Sequence, residues 1–231
     1  MVLGTTVRSP ARTARLPIPA PGAKGAGPSE TRARILEAAA QLYRRIGHRK
    51  TTVADIAKDV SMSPANVYRF FASKRAIELA VVGVLLDEVV RAAEQAMQRD
   101  GSTAERLRAV LHAVERLNAA RYVQHPRLHE LMMTAARENW SVVRSCSDVL
   151  ESTLTELISE GQACGEFSNG DPVIAARCVL GATGGVVSLP VATGASSSRP
   201  TLDQMIDFCI GALRPAPQRG DDHYSTQKAE R

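Results

Sequence analysis

From about residue 31 onward, apolar residues recur at helical rather than strand spacing. Ile35, Ala39, Leu42 and Ile46 follow one another at steps of four, three and four, and Gly47 supplies the residue type that commonly ends a helix in a left-handed conformation. Thr52 then offers a capping hydroxyl, with Val53, Ile56, Ala57 and Val60 at helical intervals behind it. Ser61 and Met62 form a turn. Ser63-Pro64 restarts the chain, with serine as the cap and proline at the first helical position, where its missing N–H costs nothing. Val67 and Phe71 face inward, four apart. Ser73 and Lys74 open a long helix to about Gln98, with Ile77, Val81, Val84 or Leu85, and Glu88 to Val89 tracing its inner face. Beyond the turn at Asp100-Gly101-Ser102, helices are expected at about 103–122, 126–137, 139–163, 171–189 and 201–213, with a loop from Pro190 to Pro200. No pair of strands with hairpin signals interrupts this series, so the fold class is all-α.

Two short helices, a sharp turn and a third helix close behind form a helix-turn-helix pattern. With Val67 and Phe71 turned inward, Pro64, Ala65, Tyr68 and Arg69 fall on the outer face of the second short helix. Asn66 and Arg69 carry side chains able to pair with base edges in a major groove.

Charge placement agrees with a polyanionic partner at one end only. Residues 1–28 hold four cations and no acid, residues 29–75 ten cations against four acids, and the remainder fifteen against twenty. No lipid-facing apolar stripe accompanies the basic part, so nucleic acid fits it better than a membrane surface. Residues 1–28 lack periodicity and read as a disordered basic tail, either a minor-groove or phosphate-tracking arm or a dispensable extension. Arg32, Arg34, Arg49 and Lys50 either reach phosphates or serve as solvated surface charge. Hydrophobic residues make up 44% of the chain and aromatics 4%, enough for a core built mainly from Leu, Val, Ile and Ala. Cys146, Cys164, Cys178 and Cys209 are too scattered for a metal pair and read as small apolar residues in a reducing compartment. With no apolar run near the roughly 18 residues of a span and no signal-peptide core, a cytoplasmic location is expected.

The order Gly47-His48-Arg49-Lys50-Thr51-Thr52-Val53, Asp55-Ile56-Ala57, Met62-Ser63, Val67-Tyr68, Phe71 and Ser73-Lys74 resembles the DNA-binding domain of the TetR family of transcriptional regulators. The likeness departs at Ser61, where the family usually has glycine, and at Phe70, where many members carry a polar or histidine side chain. A left-handed serine costs on the order of 1 kcal/mol, tolerable in a packed domain. The resemblance implies an all-helical homodimer with a helix-turn-helix domain at 29–76, a helical ligand-binding and dimerisation domain at 77–214 and a flexible tail at 215–231. It implies a repressor that leaves a palindromic double-stranded DNA operator when a small-molecule effector binds, without cofactor or enzymatic activity. Ser63, Pro64, Ala65, Asn66, Tyr68 and Arg69 would form the groove face, with Thr52 and Lys74 on phosphates.

In the middle helices Leu107, Leu111, Met132, Met133, Trp140 and Val143, with Leu128, Leu131 and Cys146, suit either an effector pocket or ordinary core. Arg137, Glu138 and Asn139 either orient a polar group there or lie on the surface. The last two helices are apolar nearly all round. Ala176, Val179, Leu180, Thr183, Gly184, Met205, Ile206 and Cys209 are therefore expected in a four-helix bundle with a second subunit. Other chemistry is poorly supported. Gly181-Ala182-Thr183-Gly184-Gly185 lacks the strand and acid of a nucleotide loop. His112, His125 and His129 lack further ligands for a metal, and no nucleophile elbow exists for hydrolysis. Two alternatives stay open: an architectural protein coating DNA through its basic N-terminal third, and an enzyme acting on a small molecule in the helical domain.

Overall fold

The computed structural model describes residues 27–187 and 200–215, among which helix is the only regular element. In order these are α1 (Pro28–Ile46), α2 (Val53–Asp59), α3 (Pro64–Tyr68), α4 (Lys74–Met97), α5 (Thr103–Gln124), α6 (Pro126–Arg137), α7 (Ser141–Ala163), α8 (Pro172–Val187) and α9 (Leu202–Leu213). The expected series is present, with two displaced starts. Pro28, assigned above to the tail, is the first residue of α1 behind Gly27, because proline's fixed φ suits a first turn. Asn139 and Trp140 precede α7 rather than belonging to it, since Asn139 takes φ +49° and breaks the path from α6. The segments 1–26, 188–199 and 216–231 lie outside the described residues, and with them most of the basic tail, most of the 190–200 loop and the C-terminal tail.

Two apolar clusters organise these helices. The first joins α1, α2 and α3 to the opening turns of α4 through Ile35, Leu42, Tyr43, Ile56, Val67, Phe71, Ile77 and Val81, and it extends to Leu128, Leu131 and Ala135 of α6 and to Trp140. Thus α6 packs on the helix-turn-helix side. Ile46, expected on the inner face of α1, is 36% exposed at the end of its helix. The second cluster gathers Val89, Ala93 and Met97 from the far end of α4 with α5, α7, α8 and α9. Leu86 packs against both clusters, and Leu85 rather than Val84 is the buried member of its pair. So α4 is one unbroken helix with an end in each core.

Local contacts fix the ends of this second layer. The Glu166 carboxylate accepts from the backbone N–H groups of Thr103 at 2.7 Å and Ala104 at 3.0 Å, satisfying the start of α5 from the α7–α8 connection. Phe167, 2% exposed, lies against Gly161, where an added Cβ would stand 2.2 Å from the ring, so only glycine fits.

Candidate nucleic-acid interface and ligand cavity

The helix-turn-helix is held by its caps. In α2 the Thr52 hydroxyl accepts from the Asp55 N–H at 3.2 Å while the Asp55 carboxylate accepts from the Thr52 N–H at 2.8 Å, a reciprocal capping box. Ser61 adopts φ +55°, the left-handed turn anticipated for it. Ser63 Oγ accepts from Asn66 N–H at 3.2 Å and Pro64 opens α3. Val67 and Phe71, 0% and 2% exposed, pin this five-residue helix from below. Ser63, Pro64, Ala65, Tyr68 and Arg69 are exposed and Asn66 is half-buried. The proposed groove face is therefore presented outward. Thr52 is exposed with its hydroxyl engaged in the box, and Lys74 Nζ lies 3.5 Å from the Arg49 carbonyl and 3.8 Å from Glu78.

Two arginines assigned above to phosphate or solvent have a third use. Arg32 Nη1 donates to the Phe70 carbonyl at 2.7 Å and its guanidinium stacks 4.0 Å from the Phe71 ring centroid, while Arg34 Nη2 donates to the Val60 carbonyl at 3.3 Å. Both clamp α1 across the carbonyls that the ends of α2 and α3 leave unpaired. Arg49 leans toward Glu130 of α6, 3.7 Å away, and Lys50 is exposed.

The base of α4 carries a buried polar cluster absent from the sequence reading. Glu78, 9% exposed, lies 3.3 Å from His48 Nδ1 and within 4.0 Å of Lys74 and Arg75. Tyr43 packs edge-on against His48, and burial first, then the Glu78 charge, pushes its hydroxyl pKa well above the ordinary value. Arg75 also stacks over Trp140, 3.4 Å from the ring centroid, and reaches Glu138 at 3.0 Å. Glu138 in turn accepts from Trp140 Nε1 at 2.9 Å. Hydrogen bonds from Trp140 and Arg75 hold the Glu138 carboxyl below its usual range.

Between α4, α5, α6, α7 and α8 lies a cavity of about 310 Å³. Leu111, Met132, Met133, Val143 and Cys146, which the sequence offered either to a pocket or to ordinary core, line it. Two of the candidates do not. Leu107 is fully buried in the second cluster, and Trp140 belongs to the first, held there by Arg75. Leu128 and Leu131 likewise face the first core. Residues missed by the sequence reading add to the wall, among them Leu86 and Val89 of α4, Asn118 and Arg121 of α5, and His129 of α6. Burial lowers the His129 pKa and pushes the Cys146 thiol up to about 11, so both groups sit neutral in the wall near pH 7.

For the expected subunit interface the side-chain assignment needs correction. Ala176, Val179, Thr183, Ile206 and Cys209 are buried inside the protomer, turned toward α5 and α7, while Leu180, Gly184 and Met205 are half-buried. A helix apolar on every side has one face taken by its own core. Among the described residues, the small or apolar ones left outward on α8 and α9 are Ile174, Cys178, Gly181, Phe208, Gly211 and Ala212, with Ile174 58% and Phe208 71% exposed, and Arg177, Asp203, Gln204 and Asp207 are exposed beside them.

Other chemistry finds no assembled site among the described residues. His125 stands just before the first residue of α6 with no capping hydrogen bond from its side chain, His112 pairs with Asp203 at 2.9 Å, and no group of three metal-ligating side chains forms. Gly181 to Gly185 lie within α8. No described helix is long and apolar enough to cross a membrane.

Comparison with known proteins follows the same division. Residues 35–81 match the family model for bacterial regulatory proteins of the tetR family, and residues 103–207 match the tetracyclin repressor-like C-terminal domain. YhgD, an uncharacterized HTH-type transcriptional regulator of Bacillus subtilis (strain 168), is 23% identical over 154 residues, 63% of this chain and 76% of its own. The fatty acid degradation regulator FadR from Bacillus halodurans superposes with a TM-score of 0.60 at 19% identity, over 85% of this chain and 99% of its own. AibR, solved in complex with isovaleryl coenzyme A and operator DNA, superposes with a TM-score of 0.50 at 22% identity, over 80% of this chain and 99% of its own. These structural likenesses show a shared fold.

Proposed function

Because the chain belongs to the TetR family of DNA-binding transcriptional regulators, a non-enzymatic family, we propose that it is a homodimeric repressor. It holds a palindromic operator through α3 and releases it when a small molecule fills the cavity. The observation that carries this reading is the course of α4. Its first turns pack in the core that positions α3, and its Leu86 and Val89 line the cavity. A ligand that displaces the cavity end of a rigid helix moves the other end, and the recognition helix with it. The relative AibR was solved with both an acyl coenzyme A and operator DNA, in keeping with such a pairing of sites.

In this reading Asn66 and Arg69 meet base edges, Ser63, Pro64, Ala65 and Tyr68 complete the groove face, and Lys74 and Thr52 approach phosphates. The outward apolar residues Ile174 and Phe208 support pairing of α8 and α9 with their copies, which sets two α3 helices on successive half-sites.

A mobility-shift assay tests the reading, using the intergenic DNA beside the gene, searched for an inverted repeat, with and without candidate effectors. Tight binding to that fragment and its loss on adding an effector are expected. Arg69→Ala should cost about 1–3 kcal/mol on the operator and relax sequence preference. Equal affinity for random duplex would refute operator recognition, and an operator complex untouched by any ligand seated in the cavity would refute effector release.

A further inference from the structure

The cavity wall is apolar except at a few points, and the charged one is Arg121. Its side chain is 92% buried, and Nη2 donates at 2.7 Å to both the Leu85 carbonyl and the Glu88 carboxylate of α4. Nη1 is buried with no hydrogen-bond partner. A guanidinium nitrogen without a protein acceptor is costly to bury, because its N–H donors require oxygens that hydrocarbon walls do not provide. Among the described residues that line the cavity none is a carboxylate, and Arg121 is the one with a formal charge. The surrounding walls, Leu111, Val114, Met132, Val143 and Leu154, offer only dispersion contacts. At about 310 Å³ the space sits near the low end of the roughly 300–1,000 Å³ usual for ligand pockets.

Resting on the reading of this cavity as the effector site, we propose that it takes a short amphipathic carboxylate whose head group pairs with Arg121 and whose aliphatic tail lies along the apolar wall. The pairing explains why a buried cation is kept with an idle nitrogen: planar guanidinium and carboxylate match through two parallel hydrogen bonds. It also names the mechanical step. Arg121 now fastens α5 to α4 at Leu85 and Glu88, where α4 passes from one core to the other. A ligand carboxylate competes with Glu88, whose side chain is 44% exposed and is readily rehydrated when released. Effector entry therefore exchanges an interhelical ion pair for a ligand ion pair and frees α4 at its midpoint.

The test is calorimetric titration of the full-length protein with octanoate, octanamide and octylammonium, three probes of one chain length and different head charge. Octanoate is expected to bind about ten-fold or more tightly than octanamide, with octylammonium weakest. Arg121→Gln should remove that preference. Since Arg121→Gln also loses the contacts to α4 and risks misfolding, Glu88→Gln is the second variant: it removes the competing carboxylate from a half-exposed position. Glu88→Gln should tighten octanoate binding several-fold and leave octanamide unchanged. Preference for the neutral or cationic probe would overturn the carboxylate assignment while leaving a ligand cavity in place. Unchanged or weaker octanoate binding by Glu88→Gln would overturn the exchange of partners. Binding by none of the three would overturn the carboxylate assignment and leave the effector reading to the mobility-shift assay. Selective octanoate binding that leaves the operator complex intact would support the carboxylate site and remove only the release mechanism.

Discussion

The two apolar clusters are built from nearly the same residue types, yet one is closed and the other is hollow. Around the helix-turn-helix, Tyr43, Phe71, Ile35, Ile56 and Ile77 are all fully buried, and the arginines near them, Arg32 and Arg34, give their donors to backbone carbonyls. Around α5 and α7, Leu107, Leu154, Leu157 and Ile158 are equally buried, but a cavity of about 310 Å³ stands beside them and Arg121 keeps a nitrogen without an acceptor. The difference lies in the void and not in unpaired polar atoms, since Tyr43 Oη, Arg44 Nε and His48 Nε2 around the helix-turn-helix are also buried without a partner. A surface that must present α3 in one orientation needs a filled core, because voids permit alternative packings. A region that must accept a molecule keeps a void.

The largest effect should come from opening the closed core. Phe71→Ala removes a ring that packs under α3 and carries the Arg32 guanidinium, so it should cost about 3–5 kcal/mol in denaturant unfolding and abolish operator binding. A loss under about 1 kcal/mol would mean that this cluster is as yielding as the other, and the contrast would go.

A matched pair sharpens the comparison at smaller scale. Ala39 is fully buried in the closed cluster, so Ala39→Leu overpacks it and should cost about 1–3 kcal/mol. Cys146 is buried beside the cavity, so Cys146→Leu has space to extend into and should change stability by less than about 1 kcal/mol while blocking the ligand. Thermal unfolding of both variants decides the matter: equal losses would show that the hollow is not available to a side chain.

The same contrast explains what the sequence made legible. The caps at Thr52, Ser63 and Ser73, the left-handed Ser61 and the inward Val67 and Phe71 were readable because each depends on neighbours within a few positions. The hollow region depends on which helix meets which, and local pattern does not contain that. The stripe Leu128, Leu131 and Ala135 announces an amphipathic helix without saying that it joins the first core. Arg32 and Arg34 look like phosphate contacts until the carbonyls of Phe70 and Val60, 38 and 26 positions away, are brought to them. In α8, small apolar residues on every side leave no stripe to separate the face kept by the protomer, with Ala176, Val179 and Thr183, from the outward face with Ile174. Arg121 drew no attention in the sequence because a single arginine in an amphipathic helix reads as surface.

The smallest effect concerns the two capping boxes that a carboxylate closes, one in each region, and it tests whether the two regions respond independently. In α2 the Asp55 carboxyl is held below its ordinary value, chiefly by the hydrogen bond from the Thr52 side chain and then by the Thr52 N–H. In α5 the Glu105 carboxyl is lowered first by the Ser102 N–H and then by the Ser102 hydroxyl. A carboxylate with a depressed folded-state pKa contributes stability that is present above its unfolded pKa and lost as pH falls through the folded value. Both boxes should therefore be intact near neutrality and open only in acid, below the ordinary carboxylate range of about 4. The measurement is the amide chemical shift of Thr52 and of Ser102 followed by NMR through an acid titration. Each shift should move with a midpoint below that of a free carboxyl. Asp55→Asn should flatten the Thr52 curve and leave Ser102 unchanged, and Glu105→Gln should do the reverse, because the side-chain amide still accepts a hydrogen bond but no longer titrates. Coupled movement of both amides in either variant would mean that acid opens the two regions together, through α4, and that the closed core is not insulated from the hollow one.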